Sequence, residues 1–363
     1  MDLSEEEENF INDFVGLIKW HPEKAKFPKL LSEVRIDSGA PIVYGKEETT
    51  DCRTAYGKAL LDLAKLNQNV VALTADLKSS VMTKFVSDEK PEQYIEVGIG
   101  EQNMVSMSGG LSLIDYVPFC STFGAFMSSR AKDQARVNDI NYTNVKMVAT
   151  HCGLSVGEDG PTHQAIDDAG SFLGMFNTMT VEPADPNHTD RIIRYIASHY
   201  GNFYMRMGRH KIASILKEDG TLYYDENYKY EYGKCDVLRE GKDITIAAMG
   251  SLVTEAMKAY EELKKAGISA EIVVVSSIKK LGEILIKSIQ KTERILTVED
   301  HNKFSGLSSQ LAKYLEENKI KVKEFKSLGS EKYQLSGKPE ELYDIAGLSA
   351  KHIAETALAV SKK

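Results

Sequence analysis

The chain has 363 residues, 42% of them hydrophobic and 27% charged, with a formal net charge of -8. That length suits about two domains of roughly 150 residues each, and the balance excludes a disordered, collagen-like or wholly coiled-coil chain. The negative charge leaves no electrostatic footprint for nucleic acid, which is bound through clustered Lys and Arg. Four scattered cysteines, Cys52, Cys120, Cys152 and Cys235, form no C-x-x-C pair, so neither a disulfide scaffold nor a zinc site is indicated and buried reduced thiols are expected. The opening MDLSEEEENF is acidic where a signal peptide is basic and then apolar, and no run approaches 18 apolar residues. A cytoplasmic location is the expectation.

Residues 1–50 form a charged lead-in interrupted by Pro22, Pro28 and Pro41, with one helix suggested over Phe10 to Ile18. Either an arm docked on a partner or a solvated extension fits it. From Arg53 onward, helical and strand patterns alternate. TAYGKALLDLAKL carries one apolar helical face and VVALTAD is a continuous apolar run. The alternation continues through YIEVGIG, NMVSMSGGLSL, YVPFCSTF, VKMVATH, TMTVEPAD, RIIRYIASHY and FYMRMG. Apolar strands separated by helices predict a mostly parallel sheet covered on both faces, spanning residues 51–215. Residues 216–234 are polar and Tyr-rich without a helical period, and read as a linker. A second α/β unit follows at 235–363, with strands in DITIAAMG, AEIVVVSS and RILTVED and helices in TEAMKAYEELKKAG, LGEILIKSIQ and LSSQLAKYLEEN.

Ligands of open α/β sheets sit beyond the carboxyl ends of the strands. Three segments there stand out: GIGEQNM at 98–104, PFCSTFGAF at 118–126 and THCGLSVGEDGPTHQ at 150–164. The third packs two histidines, two acids, three glycines and a proline into a stretch that must be a loop. His151 and His163 match neither H-E-x-x-H nor a Cys/His zinc spacing. Ser106 and Ser108 in MVSMSGG lack the G-x-S-x-G elbow of a serine hydrolase.

In that order, GIGEQNMVSMSGGLSL, VPFCSTFGAF and THCGLSVGEDGPTHQ resemble the pyrimidine-binding half of transketolase, a thiamine diphosphate enzyme. RTAYGKAL, LTADLKSS, FYMRMGR, ILTVEDH and SGKPEEL agree with it, so the resemblance runs from about residue 50 to 360. It implies a pyrimidine-binding domain at 51–215 and a transketolase C-terminal-like domain at 235–363. Glu101 is similar to the carboxyl that bonds the far ring nitrogen of the aminopyrimidine; a glutamate opening a helix could also simply answer the helix dipole. Phe126 matches the position that stacks on the pyrimidine ring, with Phe123 three residues earlier, although core packing explains most phenylalanines. Ser129 stands where many members have a further aromatic. Asp159 and His163 match residues that hydrogen-bond sugar hydroxyls, and His151 matches one near the substrate phosphate. Arg53, Ser80 and Arg209 match the rest of a phosphate clamp, to which paired guanidinium donors are suited. Asp76 matches a residue that approaches the cofactor across a subunit interface.

The family holds the cofactor's diphosphate through Mg²⁺ on a separate domain bearing Gly-Asp-Gly, and that tripeptide is absent from this sequence. The resemblance therefore implies one chain of a split enzyme, active with a transketolase N-terminal, diphosphate-binding subunit, as a heterotetramer. The implied reaction moves a two-carbon ketol unit from a ketose phosphate to an aldose phosphate; a sulfonate would suit the same clamp. A 1-deoxy-D-xylulose-5-phosphate synthase-like enzyme, which shares Gly-Pro-Thr-His-Gln, is a second reading, and a non-catalytic assembly subunit a third. DGPTHQ speaks against the β subunit of a keto-acid dehydrogenase. Glu299, Asp300 and His301 belong to no recognised catalytic cluster, and an interface role is the simpler account of them.

Overall fold

The computed structural model describes residues 4–10 and 27–362. Beyond Phe10, the helix expected over Phe10 to Ile18 lies outside the described residues. Strand β1 (Thr49–Thr50) pairs antiparallel with β8 (Ile212–Ala213) at the border of the first domain. The apolar runs between them become β2 (Val70–Thr74), β3 (Tyr94–Glu96), β4 (Val117–Phe123), β5 (Lys146–Thr150), β6 (Thr178–Val181) and β7 (Asn202–Arg206). They form one sheet in the order β3-β2-β4-β5-β7-β6, parallel throughout.

Side-chain alternation divides these strands between two cores. Phe119, Val148, Phe203 and Met205 face the helices Cys52–Leu66 and Pro186–Ser198, meeting Tyr56, Leu60, Ile192 and Ile196. Cys120, Met147, Ala149 and Tyr204 face the opposite side, against Met104, Val105, Met127 and Phe172. Burial on both faces is why these strands read as continuous apolar runs.

The second domain contains β9 (Asp236–Arg239), β10 (Ile244–Ala248), β11 (Ala270–Val274), β12 (Arg294–Asn302) and β13 (Glu324–Ser330) in the order β13-β12-β10-β11-β9. Only β9 runs antiparallel to its neighbour. The three interior strands coincide with the predicted ones. The edge strands β9 and β13 carry polar or half-buried residues, so they lack an apolar-run signature.

Two segments pack more closely than their sequences suggest. Part of the lead-in docks on the chain itself: the Leu31 N–H donates to Tyr200 O at 2.8 Å, the Tyr44 N–H donates to Asn187 Oδ1 at 2.8 Å, and Arg194 reaches the Ser38 carbonyl. The stretch 216–234 is a packed strap, with Tyr224, Tyr230 and Tyr232 buried and Tyr224 stacked on His188 at 4.2 Å. Tyrosine permits this because its ring is apolar while its hydroxyl keeps a partner. All four cysteines are buried and unpaired, and no helix among the described residues is long and apolar enough to cross a membrane.

The domains meet around a buried cation. Arg206, at the end of β7, bonds Asp168 at 2.8 Å and Glu182 at 2.7 Å, and reaches the Asp300 carbonyl of the second domain at 3.1 Å. Burial pushes the Glu182 carboxyl up to about 7 against the pull of Arg206. Burial opposes ionisation of Asp168 too, yet Arg206 and His301 hold its carboxyl below the ordinary value. Removing one member of such a cluster leaves uncompensated buried charge. Arg206→Ala is therefore expected to lower the unfolding free energy by about 3–5 kcal/mol, read from urea melts; a loss below about 1 kcal/mol would show the cluster to be solvated.

Candidate functional site

Five adjacent strands of the first sheet deliver residues to one edge. Beyond β3 comes Glu101, beyond β2 come Ser79 and Ser80, at β4 Phe123 and Phe126, beyond β5 His151, Asp159 and His163, and beyond β7 Arg209. Arg53 arrives from the first turn of the helix Cys52–Leu66, which is capped by Asp51 accepting from the Thr54 N–H at 2.8 Å. Arg53, Ser79, Ser80, Phe123, His151, Asp159, His163 and Arg209 line an open cavity of about 610 Å³, a size suited to a small ligand.

The cavity floor is cationic. Arg53 Nη1 donates to the Ser80 carbonyl at 2.9 Å and lies 3.5 Å from His151 Nε2, while Nη2 donates to the Arg209 carbonyl at 3.2 Å. Arg209 Nη1 donates to the Val156 carbonyl at 2.8 Å and lies 3.2 Å from Glu158 Oε2 and 3.7 Å from Asp159 Oδ1. Two guanidiniums in one cavity suit an anion with several oxygens. Burial, with Arg53 and Arg209 close by, pushes the His151 ring from an ordinary 6.5 down to about 2, so it is a neutral hydrogen-bonding group. His151 also has φ 59, and its Nδ1 lies 2.8 Å from Thr150 Oγ1. A non-glycine residue in the left-handed region is strained, and such strain gathers at functional sites.

Aromatic rings form one wall. Phe123 and Phe126 stack with centroids 5.5 Å apart, His151 lies 3.8 Å from Phe123, and His163 meets Phe126 edge-on at 5.4 Å. The helical turn carrying Phe126 starts at Gly124, where a Cβ would come 2.5 Å from Cys152 Sγ and 2.8 Å from Ala165 Cβ.

Glu101 is buried at the start of the helix Glu101–Ser112 and makes no capping bond to it. Its Oε1 accepts from Arg130 Nη1 at 2.6 Å, and the same guanidinium lies 4.0 Å over the Phe126 ring. A planar N–C–N group thus fits between the aromatic face and the buried carboxylate. A ring N–H stacked on Phe126 can donate to the same carboxylate oxygen, so these residues fit the pyrimidine half of the expected cofactor. Nothing comparable exists for its metal-bound half: among the described residues no group of three or more His, Cys, Asp or Glu side chains could hold a metal ion.

Residues 48–213 match the transketolase pyrimidine binding domain and residues 233–353 the transketolase C-terminal domain. The chain belongs to the transketolase family. It is 37% identical over 313 residues to the putative transketolase C-terminal section of Methanocaldococcus jannaschii, covering 86% of this chain and 96% of that protein. It is 34% identical to human transketolase over 84% of this chain but only 48% of the human one, and so spans about half of that relative. A solved structure described as the inactive β4 tetramer of a split-gene transketolase superposes with a TM-score of 0.77 at 32% identity, covering 86% of this chain and 98% of that one.

Within this transketolase-family chain, the residues named from the sequence fall into three groups. Arg53, Ser80, Phe123, His151, Asp159, His163 and Arg209 share the cavity, with Ser80 contributing its carbonyl to Arg53. Phe126 and Glu101 adjoin it through ring contacts and through Arg130. Asp76 does not line the cavity; it is exposed, with φ 57, and its N–H donates to Glu96 Oε1 at 2.7 Å. Sequence reasoning missed Arg130 and Ser79. The available signal for Arg130 was its place beside Ser129, one turn beyond Phe126, where i,i+4 side chains meet.

The unfolded chain takes up a proton at His151 below pH 6.5, whereas the folded chain does so only near pH 2. This ring therefore leaves stability independent of pH above its ordinary 6.5 and disfavours folding increasingly as the pH falls from there towards about 2. In labelled protein, its ¹⁵N resonances are expected to stay at neutral-ring positions between about pH 5 and 8. A titration step near 6.5 would mean a solvated, chargeable ring.

Proposed function

We propose that this chain is the pyrimidine-binding, C-terminal subunit of a two-chain transketolase, which transfers a two-carbon ketol unit from a ketose phosphate to an aldose phosphate using thiamine diphosphate and Mg²⁺. The observation that carries it is the juxtaposition of an arginine pair, His151, Asp159 and His163 with a stacked aromatic pair and a buried glutamate. When bound, the cofactor supplies the nucleophile that carries the two-carbon unit.

The chain's own residues then divide the work. Glu101 takes the far ring nitrogen of the pyrimidine, with Phe126 and Phe123 offering apolar faces to the ring. Arg53 and Arg209 bind the substrate's phosphate, with His151 as a neutral partner. His163 and Asp159 face the same cavity and orient sugar hydroxyls, His163 being placed to move a proton on a substrate oxygen. Asp76, exposed on this chain, is assigned on this reading to approach the cofactor across a subunit interface.

On this reading the diphosphate and Mg²⁺ are held by a partner, a transketolase N-terminal subunit, a division supported by the match to a transketolase C-terminal section over 96% of its length. The names of the M. jannaschii section and the split-gene tetramer support the same division. A heterotetramer with two copies of each chain satisfies closed symmetry. Four buried, unpaired thiols suit a reducing, cytoplasmic setting.

Mixing this chain with a Gly-Asp-Gly-bearing subunit, thiamine diphosphate and Mg²⁺ is expected to give two-carbon transfer between pentose phosphates, with neither chain active alone. Glu101→Gln should lower turnover by about 10²-fold or more and weaken cofactor binding measured by calorimetry. Full activity of the isolated chain would sink the split assignment, and unchanged turnover of Glu101→Gln would leave a non-catalytic assembly role. Release of carbon dioxide from pyruvate would favour the synthase-like alternative.

A further inference from the structure

The sequence EDH at 299–301 has no part in the chemistry above, yet it lies in β12, against the first domain. Its middle residue reaches furthest. Asp300, 2% exposed, accepts the Leu154 N–H on Oδ1 at 2.8 Å and the Ser155 N–H on Oδ2 at 3.4 Å. The Tyr343 hydroxyl donates to Oδ2 at 2.7 Å. A carboxylate of the C-terminal domain thus faces two successive amides of the loop that follows β5.

Those amides open the turns spanning Leu154–Asp159, where amide donors have no partner within the turn itself. The loop passes the carboxylate at Gly153, which has φ 77, and a Cβ there would come 2.2 Å from the Asp300 carboxyl carbon. One residue beyond Ser155, the Val156 carbonyl accepts Arg209 Nη1 at 2.8 Å, and the Glu158 carboxylate lies on the same nitrogen. The Arg209 carbonyl in turn accepts from Arg53. A single turn of backbone therefore separates Asp300 from the arginine pair.

The second domain holds this loop further along as well. Ser336 donates its hydroxyl to the Glu158 carbonyl. Gln164 exchanges two hydrogen bonds with the Gln334 backbone, at 3.0 and 2.8 Å. Beginning, middle and end of the loop are thus fixed by a domain that contributes no side chain to the cavity lining.

We propose, on the sugar-phosphate reading given above, that Asp300 is a positioning residue: through the Leu154 and Ser155 amides it fixes the turn whose Val156 carbonyl aims Arg209 at the substrate's anionic group. The C-terminal domain thereby sets affinity for the phosphate end of the sugar without touching it. A merely structural aspartate would weaken all ligands alike or lower stability alone; a positioning one acts on the phosphate.

The test compares ribose 5-phosphate with ribose, titrated by calorimetry into the wild-type chain, Asp300→Asn and Tyr343→Phe, with thermal unfolding followed in parallel. Asp300→Asn keeps the shape but loses an acceptor, and is expected to weaken ribose 5-phosphate about tenfold, with Tyr343→Phe about threefold and ribose unchanged. Folded Asp300→Asn with wild-type affinity for ribose 5-phosphate overturns the proposal, as does equal weakening of both sugars. Should Asp300→Asn fail to fold, Tyr343→Phe decides, and unaltered phosphate affinity there overturns it. If the wild-type chain itself shows no preference for the phosphorylated sugar, the failure belongs to the sugar-phosphate reading and not to Asp300.

Discussion

A guanidinium taken out of water between two carboxylates has few tolerable positions, and Arg206 occupies one of them. Its partners come from different places in the chain: Asp168 from the helix after the 150–164 loop, Glu182 from the end of β6, and the Asp300 carbonyl from the second domain. Sliding any of these elements would leave a desolvated charge without its counterpart, which is far worse than losing a surface pair. Two parts of the cavity inherit that fixity. Arg209 lies three residues beyond Arg206, and the loop carrying Asp159 and His163 begins at β5 and ends beside Asp168. Arg209, Asp159 and His163 are therefore set by the same buried charge.

Around this anchor, the parallel sheet does the gathering. Strands that all point one way place every following loop on the same edge, so side chains far apart in sequence meet without long excursions. Backbone strain lies at that edge too. Asp76, Met82 and His151 have φ of 57, 66 and 59, just beyond β2 and β5. For His151 the unusual backbone brings the ring over Phe123 and beside Arg53. The neighbouring structure has to over-determine such a conformation, and the hydrogen bond to Thr150 together with two flanking arginines does so.

How much of this could be read beforehand follows from the range of each interaction. Buried strands such as β2, β4 and β5 announce themselves because both faces are apolar, and the 150–164 loop because its composition can form no regular element. The edge strands β9 and β13 stay hidden, since each mixes polar and apolar residues without a continuous apolar run. Burial of the tyrosines at 216–234 was hidden for a related reason: a polar-looking stretch can still supply apolar rings to a core. The seven cavity residues were legible only because several segments were recognised together, Arg53, Ser80 and Arg209 lying outside the three main motifs; no single segment specifies a site. Asp300 was visible as a residue and opaque as a contact, because its partner amides lie 146 and 145 positions away. Long-range hydrogen bonds leave no local pattern.

Arg130 shows why half a site is a coherent object. Glu101 is buried, and a buried carboxylate without a partner is heavily penalised. In this chain its side chain meets a guanidinium that is half exposed, while the carboxylate is 6% exposed, so the cation lies over the site like a cover with its outer face in water. A planar cation stacked on Phe126 needs no new pocket to be built when it gives way to another planar donor. On the proposed reading, the ligand's ring replaces the guanidinium on both the carboxylate and the aromatic face, and only its charged, metal-bound end is left to be held. On that same reading a second chain holds this end, so that coenzyme binding and subunit association are thermodynamically linked.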